Sequence, residues 1–408
     1  LHVHSYYSIL DGQASISRLV DKAIADGMRG MALTDHGSMM GVKDFYNYVQ
    51  KKKGGASKDF KKAEAQLQEL QAKAAASEVD TATLRLEDGK TLAEAIAETE
   101  KAMEKAKRVM DFKPIIGCEM YCARRTKFDK TLKEDRSGWH LVVLAKNETG
   151  YHNLVKLVSR AWVDGFYMKP RTDKADLEEF KEGLIISSAC LGGEIPKKLL
   201  AGDEEGAEQS VMWFKERFGE DYYLELQRHE VKDPAQRANR ETYPLQQKAN
   251  EGLLRLAQKC GVKYICTNDA HFVDEDNSEA HDLLICLSTN HFVSDQTRML
   301  YSKQEWFKTQ AEMNAIFQDL PEALATTQEI VDKVEEYSID HGPIMPNFEI
   351  PEEFGTEDGY RQKYSEEDLF NEFTQDENGN VVISREEGEA KIKKLGGYDK
   401  LYRIKLEA

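Results

Sequence analysis

Six short apolar runs dominate what this chain can fold into: Met31–Thr34, Pro114–Gly117, Leu141–Leu144, Leu184–Ser187, Tyr222–Leu226 and Tyr264–Thr267, with helical patterns between them. A strand that is apolar on both faces must be covered on both, and alternation with helices does this. The pattern predicts an α/β chain built on a parallel sheet, either open or closed into a barrel. The first helix is equally legible. Ser15 stands as N-cap, Ile16, Leu19, Val20, Ala23 and Ile24 make one apolar stripe, and Gly27 stops it.

Residues 51–113 break the rhythm with an Ala/Lys/Glu-rich block. Phe60, Ala63, Leu67, Leu70 and Ala74 step by three and four, as do Leu92, Ile96, Thr99, Met103, Ala106 and Met110. Two narrow-seam helices are expected, the second opened by a Thr91-x-x-Glu94 capping box, with the chain reversing near Asp88-Gly89. From Asn347 onward the chain is acidic and poor in branched apolar residues, apart from Val381–Ile383 after an Asn378-Gly379 turn. That composition predicts a hairpin or weakly ordered insertion rather than a core.

Several function classes fall away on composition. No apolar run approaches the ~20 residues that span a bilayer, and no basic-then-apolar leader precedes the first strand, so no membrane partner is expected. The first residue is not Met, which suggests a trimmed segment. Six cysteines without a C-x-x-C pair suit a reducing, cytoplasmic setting. The net charge of -17 argues against a chain-wide nucleic-acid surface. Much of it comes from residues 349–390, which hold fourteen acids and three bases. Basic clusters elsewhere, at Lys51–Lys53, at Arg124, Arg125, Lys127, Lys130 and Lys133, and at Lys169-Pro170-Arg171, could grip a few phosphates.

Polar residues able to hold metals gather where the strands end. Met31–Thr34 runs into Asp35-His36, Ile115-Ile116-Gly117 leads to Glu119, the 184–188 run leads to Cys190, and 264–267 leads to Asp269-x-His271. In barrels of parallel strands such ends converge on one face. His2-Val-His4 adds two rings on one side of an extended segment. His140 precedes its apolar run, and no spacing argument includes it. Each residue alone could be a cap, a turn or a core side chain. Together they form an imidazole and carboxylate set suited to Zn²⁺, Mn²⁺ or Fe²⁺, and a bridging carboxylate in such a set can hold ions ~4 Å apart.

In order along the chain stand His2-Val-His4, Tyr7-Ser8-Ile9-Leu10-Asp11-Gly12, Thr34-Asp35-His36-Gly37, Gly117-Cys118-Glu119, His140 before Leu-Val-Val-Leu, the Ser188–Gly193 stretch, and Asn268-Asp269-Ala270-His271. This series resembles the polymerase-and-histidinol-phosphatase (PHP) domain family. Gly165–Arg171 and Glu225–His229 resemble in particular the form carried by the alpha subunit of bacterial DNA polymerase III, a C-family replicative polymerase. The resemblance covers residues 1–50 and about 114–345, including Ala280–Leu284 and Asp319–Ala323.

The resemblance implies a distorted TIM-like (β/α)7 barrel at 1–50 and 114–285, an inserted antiparallel helical hairpin at 51–113, a connection towards a polymerase palm at 286–348, and an acidic insertion or tail at 349–408. It implies up to three divalent ions, Zn or Mn first and Fe as a further candidate. The ligands would be His2, His4, Asp11, His36, Glu119, His140, Cys190, Asp269 and His271, with Glu119 as bridge. Cys190 and Asp11 stand where related phosphatases carry His. The catalytic group would be His36, Glu119, Asp269 and His271; apart from the resemblance, charge marks Lys169 and Arg171, and a place after Gln227-Arg228 near a strand end marks His229, as expected phosphate contacts.

The implied activity is a 3′-5′ exonuclease that proofreads a primer end. The palm's catalytic aspartates are absent, so polymerisation by this stretch is not expected. Implied partners are a DNA primer-template, the remainder of the alpha subunit, and other replisome subunits such as the sliding clamp or a separate proofreading subunit. Two rival readings remain: a metal-stabilised scaffold without turnover, and a small-molecule phosphoesterase. His152, His281, His291 and His341 read as structural.

Overall fold

The six apolar runs, with the short Arg171–Thr172 segment added, fold into seven strands of one curled sheet: β1 (Gly30–Leu33), β2 (Lys113–Cys122), β3 (Trp139–Ala145), β4 (Arg171–Thr172), β5 (Leu184–Ser187), β6 (Tyr222–Leu226) and β7 (Lys263–Cys266). The structure is a computed structural model and describes residues 1–77, 80–86, 89–231, 241–343 and 351–407. Asp88 of the expected turn, and residues 344–350 where the acidic tail begins, lie outside the described residues. The strand order is β1-β2-β3-β5-β6-β7, with β4 paired to β2.

The helices between and after the strands are α1 (Ile16–Ala25), α2 (Val42–Ala76), α3 (Leu92–Met110), α4 (Glu148–Val163), α5 (Lys174–Glu179), α6 (Glu194–Leu200), α7 (Glu204–Phe218), α8 (Tyr243–Cys260), α9 (Ser278–Thr289), α10 (Gln310–Ile316) and α11 (Pro321–Lys333). The architecture is the mixed α/β, distorted TIM-like barrel that the resemblance implies. The expectation of an all-parallel sheet is corrected at one strand: β3 runs antiparallel to both β2 and β5, while β1/β2, β5/β6 and β6/β7 are parallel. A doubly buried strand has the same apolar run in either direction, so composition carried no sign of the reversal.

Period-two alternation sorts each strand onto two faces. On the inner face Ala32, Ile115, Val142, Leu144, Ile185, Tyr223 and Ile265 pack together, and Ile330, Val331 and Val334 from the α11 end fill the space beneath them. On the outer face Ile116, Cys118, Met120, Val143, Ile186 and Leu224 pack against Leu154 and Leu157 of α4, Phe214 of α7 and Leu253 of α8. Following the inner face upward two residues at a time, the chain turns polar: Thr34 then His36, Gly117 then Glu119, Ser187, Glu225, and Thr267 then Asp269. Because β3 runs the other way, its polar residue precedes its apolar ones, and that residue is His140.

The sheet path from β1 to β7 is bridged at this polar end by residues 2–4. His4 N–H donates to Ala270 O at 2.7 Å, Ala270 N–H to His2 O at 3.1 Å, and Thr34 N–H to Val3 O at 2.8 Å. α2 begins on the barrel, with Phe45 and Val49 buried beside Leu19 and Leu33, and extends as one helix through the 51–76 stretch. α3 packs back on it, with Leu70, Leu92 and Ala95 buried together. The Thr91–Glu94 capping box forms, Thr91 N–H donating to Glu94 Oε2 at 2.8 Å and Glu94 N–H to Thr91 Oγ1 at 3.2 Å.

The chain divides into two compact units, Leu1–Ile339 and Asp340–Ala408. Residues 286–339 thus pack within the first unit, α11 closing the barrel floor. The second unit departs from the sequence expectation. It holds helices α12 (Glu357–Lys363), α13 (Glu366–Thr374), α14 (Arg385–Leu395) and α15 (Tyr398–Glu407), around buried Leu369, Phe370, Ile392, Leu401 and Tyr402. The Asn378-Gly379 turn is present within it, bracketed by a Gln375–Val381 bridge. Among the described residues, no helix is long and apolar enough to cross a membrane.

Candidate metal centre

The polar ends of the strands bring all nine residues of the sequence-derived ligand set into one connected cluster. Glu119 is its hub. The Glu119 carboxylate lies 3.3 Å from His2 Nε2, 3.5 Å from His4 Nε2, 2.5 Å from His36 Nδ1 and 2.8 Å from His140 Nδ1. Asp269 is a second hub, its Oδ1 lying 3.2 Å from His2 Nε2, 3.1 Å from His4 Nε2 and 3.7 Å from His271 Nδ1. Asp11 closes the outer side, 2.9 Å from His36 Nε2 and 3.9 Å from His271 Nε2. Cys190 Sγ stands 3.6 Å from Glu119 Oε1 and 3.5 Å from His140 Nδ1.

Local backbone explains how the loops reach the cluster. Asp269 adopts φ 48°, and Leu10 beside Asp11 and Ala189 beside Cys190 adopt φ 61° and 58°. Left-handed backbone at residues bearing a Cβ is strained, and strain of this kind collects at functional sites. Gly12 permits the loop that carries Asp11 to fold over, since a Cβ there would lie 2.0 Å from Ser5 O.

A set of supporting groups fixes the rings. His2 Nδ1 meets Glu225 Oε1 at 2.6 Å, His4 Nδ1 meets Ser8 Oγ at 3.0 Å, and His271 Nδ1 meets the Asp269 carbonyl at 2.8 Å. Ser8 Oγ in turn donates to Asp35 Oδ1 at 2.7 Å. Each of these three rings therefore donates from Nδ1 and turns Nε2 towards the cluster, the orientation common to metal-bound imidazoles. Tyr301 O–H donates to Asp11 Oδ1 at 2.9 Å.

Burial alone would discharge these groups; their mutual attraction decides otherwise. Burial lowers the proton affinity of His2 and His36, but the facing carboxylates outweigh it and hold both well above the usual imidazole range. His4 goes the other way, to about 3, through burial and then the charges of His36 and His271. Burial raises Glu119, Asp269 and Asp11, yet the surrounding imidazoles hold all three below the usual carboxylate range. Burial, then Glu119 and Asp269, pushes the Cys190 thiol well up. Protons and a divalent cation compete for the same lone pairs in such a set.

The donor set fits a metal on an independent observation. His2 Nε2, His4 Nε2, His36 Nδ1, Glu119 Oε2 and Asp269 Oδ1 are buried and crowd upon one another, yet none of these close contacts has hydrogen-bond geometry. Buried polar atoms are nearly always satisfied, so a group of unsatisfied ones pointing at each other calls for a cation. Three overlapping groups could each hold an ion: His4 with His36 and His271, His2 with His4 and Glu119, and His36 with Glu119 and His140. Access is from one side. The side chains of His2 and His4 are fully buried, whereas Asp11 and His140 are 26% and 25% exposed.

The three residues expected to hold phosphate separate. Lys169 is exposed beside the cluster, its Nζ 5.4 Å from the centre of the Tyr121 ring. Arg171 is fully buried, and its guanidinium donates to the carbonyls of Gly165, Asp129 and Lys127 at 3.0, 3.0 and 2.7 Å. Its place is structural. His229 is also buried, held by Gln246 and bonded through Nε2 to the Asn268 carbonyl at 3.1 Å, so it positions the residue before Asp269 rather than meeting solvent.

Sequence reasoning missed Glu225, Ser8, Asp35 and Tyr301 as supporting groups. Glu225 did leave a trace, as an acid inside the otherwise apolar Tyr222–Leu226 run. Tyr301 left none. His281 is buried against the His271 and Tyr301 rings at centroid distances of 5.6 and 4.8 Å.

Comparison with known proteins agrees with this geometry. The family model described as PHP domain matches residues 1–229. The chain is 38% identical over 374 residues to the DNA polymerase III subunit alpha of Borreliella burgdorferi, an alignment covering 90% of this chain and 26% of that protein. It is 32% identical over 363 residues to the subunit of the same name from Treponema pallidum, covering 88% and 25%. The corresponding protein of Campylobacter jejuni is 30% identical over 365 residues, covering 87% and 24%. The chain thus spans about a quarter of the length of these relatives.

Proposed function

The chain belongs to the PHP domain family, and from that premise we propose that it is a metal-dependent phosphodiesterase acting as a 3′-5′ exonuclease in replication proofreading. In this reading it is the PHP portion of a DNA polymerase III alpha subunit and works in the cytoplasm. It meets a primer-template, the remainder of that subunit, and replisome partners such as the sliding clamp or a separate proofreading subunit. The observation that carries the proposal is the convergence of buried, unsatisfied nitrogen and oxygen atoms on Glu119 and Asp269, open to solvent along the Asp11 and His140 side.

The ligands would be His2, His4, Asp11, His36, Glu119, His140, Cys190, Asp269 and His271, holding up to three ions, with Zn²⁺ or Mn²⁺ best suited to nitrogen-rich donors and Fe²⁺ next. When bound, such ions supply charge neutralisation for a phosphate and activate water as a nucleophile. The protein's own groups set the geometry. Glu119 spans neighbouring subsites, Glu225 and Ser8 keep His2 and His4 in one tautomer, and Tyr301 fixes the Asp11 carboxylate at the mouth. Lys169 stands where it can hold a backbone phosphate.

A primer labelled at its 3′ end, incubated with metal-loaded protein, should release mononucleotides, and His36→Ala should lower the rate by about 10²-fold or more. No release by the wild type, or equal release by the variant, would overturn the proposal. If chelation then lowered the melting temperature, the scaffold reading would replace it. Turnover of a small phosphomonoester such as histidinol phosphate, with none of the primer, would select the third reading.

A further inference from the structure

The rim beside the metal cluster carries aromatic side chains in water. Trp162 at the end of α4 and Phe166 after it stack with centroids 5.6 Å apart and planes 19° apart, yet they are 45% and 46% exposed. Met168 is held at φ 65° and is 68% exposed, an apolar tip on strained backbone. Across from this loop Phe128 is 67% exposed.

This patch is joined to the cluster by direct contacts. Trp162 Nε1–H donates to the carbonyl of Gly37, the residue after His36, at 2.7 Å. A Cβ on Gly37 would lie 2.7 Å from Pro170 and 3.3 Å from the Tyr121 ring, so the 164–170 loop rests on the His36 loop. The Tyr121 ring beneath Lys169 lies 6.1 Å from the His36 ring and 5.2 Å from that of His140. Buried Arg171 pins the 164–170 loop to the 127–129 stretch through the three carbonyls given above. Lys130 adds a second tie, Nζ donating to Asp164 O at 3.2 Å, and is itself exposed.

We infer that this rim is a platform for single-stranded nucleic acid: unpaired bases stack on Trp162 and Phe166, and Lys169 and Lys130 engage the adjoining phosphates. Aromatic faces interleaved with cations are what base stacking and backbone attraction require. In a chain of net charge -17, exposed lysines beside the aromatics give the patch the sign a polyanion needs. A duplex has no free base faces to offer. That the bound strand ends at the cluster, 3′ terminus first, rests on the phosphodiesterase reading.

The probe is a fluorescent oligothymidylate of about twelve nucleotides, within the ~4–16 typical of such sites, titrated in EDTA so that binding is read without turnover. The strand should quench tryptophan fluorescence, and the quench should vanish in Trp162→Phe. Phe166→Ala should weaken binding about tenfold. Lys169→Ala should lower the slope of log affinity against log salt by about 0.7, one phosphate contact.

No binding, equal binding of a duplex of the same length, or an unchanged affinity for Phe166→Ala would overturn the inference, and a protein partner would then be the better occupant. The two readings fail separately. His36→Ala should keep binding while losing release, so a wild type that binds but never cleaves sinks only the nuclease. Cleavage with no effect of Phe166→Ala sinks only the platform.

Discussion

Glu225 shows how much of a candidate metal site can lie in residues outside the donor set. Its carboxylate accepts from His2 Nδ1, Ser187 Oγ and Gln227 Nε2 while fully buried. Glu225→Gln should cost about 10- to 100-fold in metal affinity, read by competition with a chromophoric chelator, with the fold intact by circular dichroism. An unchanged affinity would show that His2 needs no such support. Most of the candidate donors could be read from the sequence because strand ends and the His-x-His spacing mark them, whereas Asp11 and His140 entered only through the family resemblance. Glu225, Ser8, Asp35 and Tyr301 could not, because they act through a ring nitrogen or a second carboxylate and obey no spacing of their own.

Lys308 offers a test at the same scale, away from the cluster. It is buried over the Trp306 ring with its Nζ 3.3 Å from the centroid, and donates to the Gln304 carbonyl. Burial lowers it from its ordinary 10.5 to about 7, against the opposing pull of Glu305 and Glu312. Between those values the unfolded chain binds the proton that the folded chain has lost, so stability rises with pH from about 7 to about 10.5. Lys308→Met should flatten that rise and gain on the order of a few kcal/mol at pH 7, measured by urea unfolding at both ends of the window. Parallel pH profiles would refute it.

At the scale of elements, β3 was the hardest piece to read. His140 lies at the wrong end of its apolar run for a parallel sheet and at the right end for a reversed strand, and only pairing partners reveal which holds. The arm formed by α2 and α3 was legible because a capping box and a three-and-four stripe are local signals. Arg171 was not, since one side chain in a basic cluster differs from its neighbours only by burial. Arg171→Met would leave the carbonyls of Gly165, Asp129 and Lys127 without their donor. It should cost about 3 kcal/mol and open both loops to proteolysis before the barrel melts. Stability within about 0.5 kcal/mol of the wild type would contradict the pin.

For the whole molecule, composition misread the acidic end because charge describes a surface and says little about what lies beneath it. Leu369, Phe370, Ile392, Leu401 and Tyr402 stand on three different helices among the acids and form a small core of their own. Each unit therefore owns its apolar interior. A chain ending at Ile339 should keep the metal content and the main melting transition of the full chain, checked by elemental analysis and calorimetry. Loss of either would mean that the first unit depends on the second. Within the first unit, 100-fold excess of metal over its dissociation constant should add about 2.7 kcal/mol, and chelation should remove it.

The bridge between residues 2–4 and Ala270 also has a consequence in time. Val3 cannot pair with Ala270 until the ribosome has made the intervening barrel, and at ~5–20 residues per second that takes tens of seconds. Until then the His2 and His4 imidazoles are exposed on a nascent chain without Asp269 or His271. The cluster is thus among the last parts of the barrel to assemble, and its full donor set exists only once β7 and the loop after it have been made.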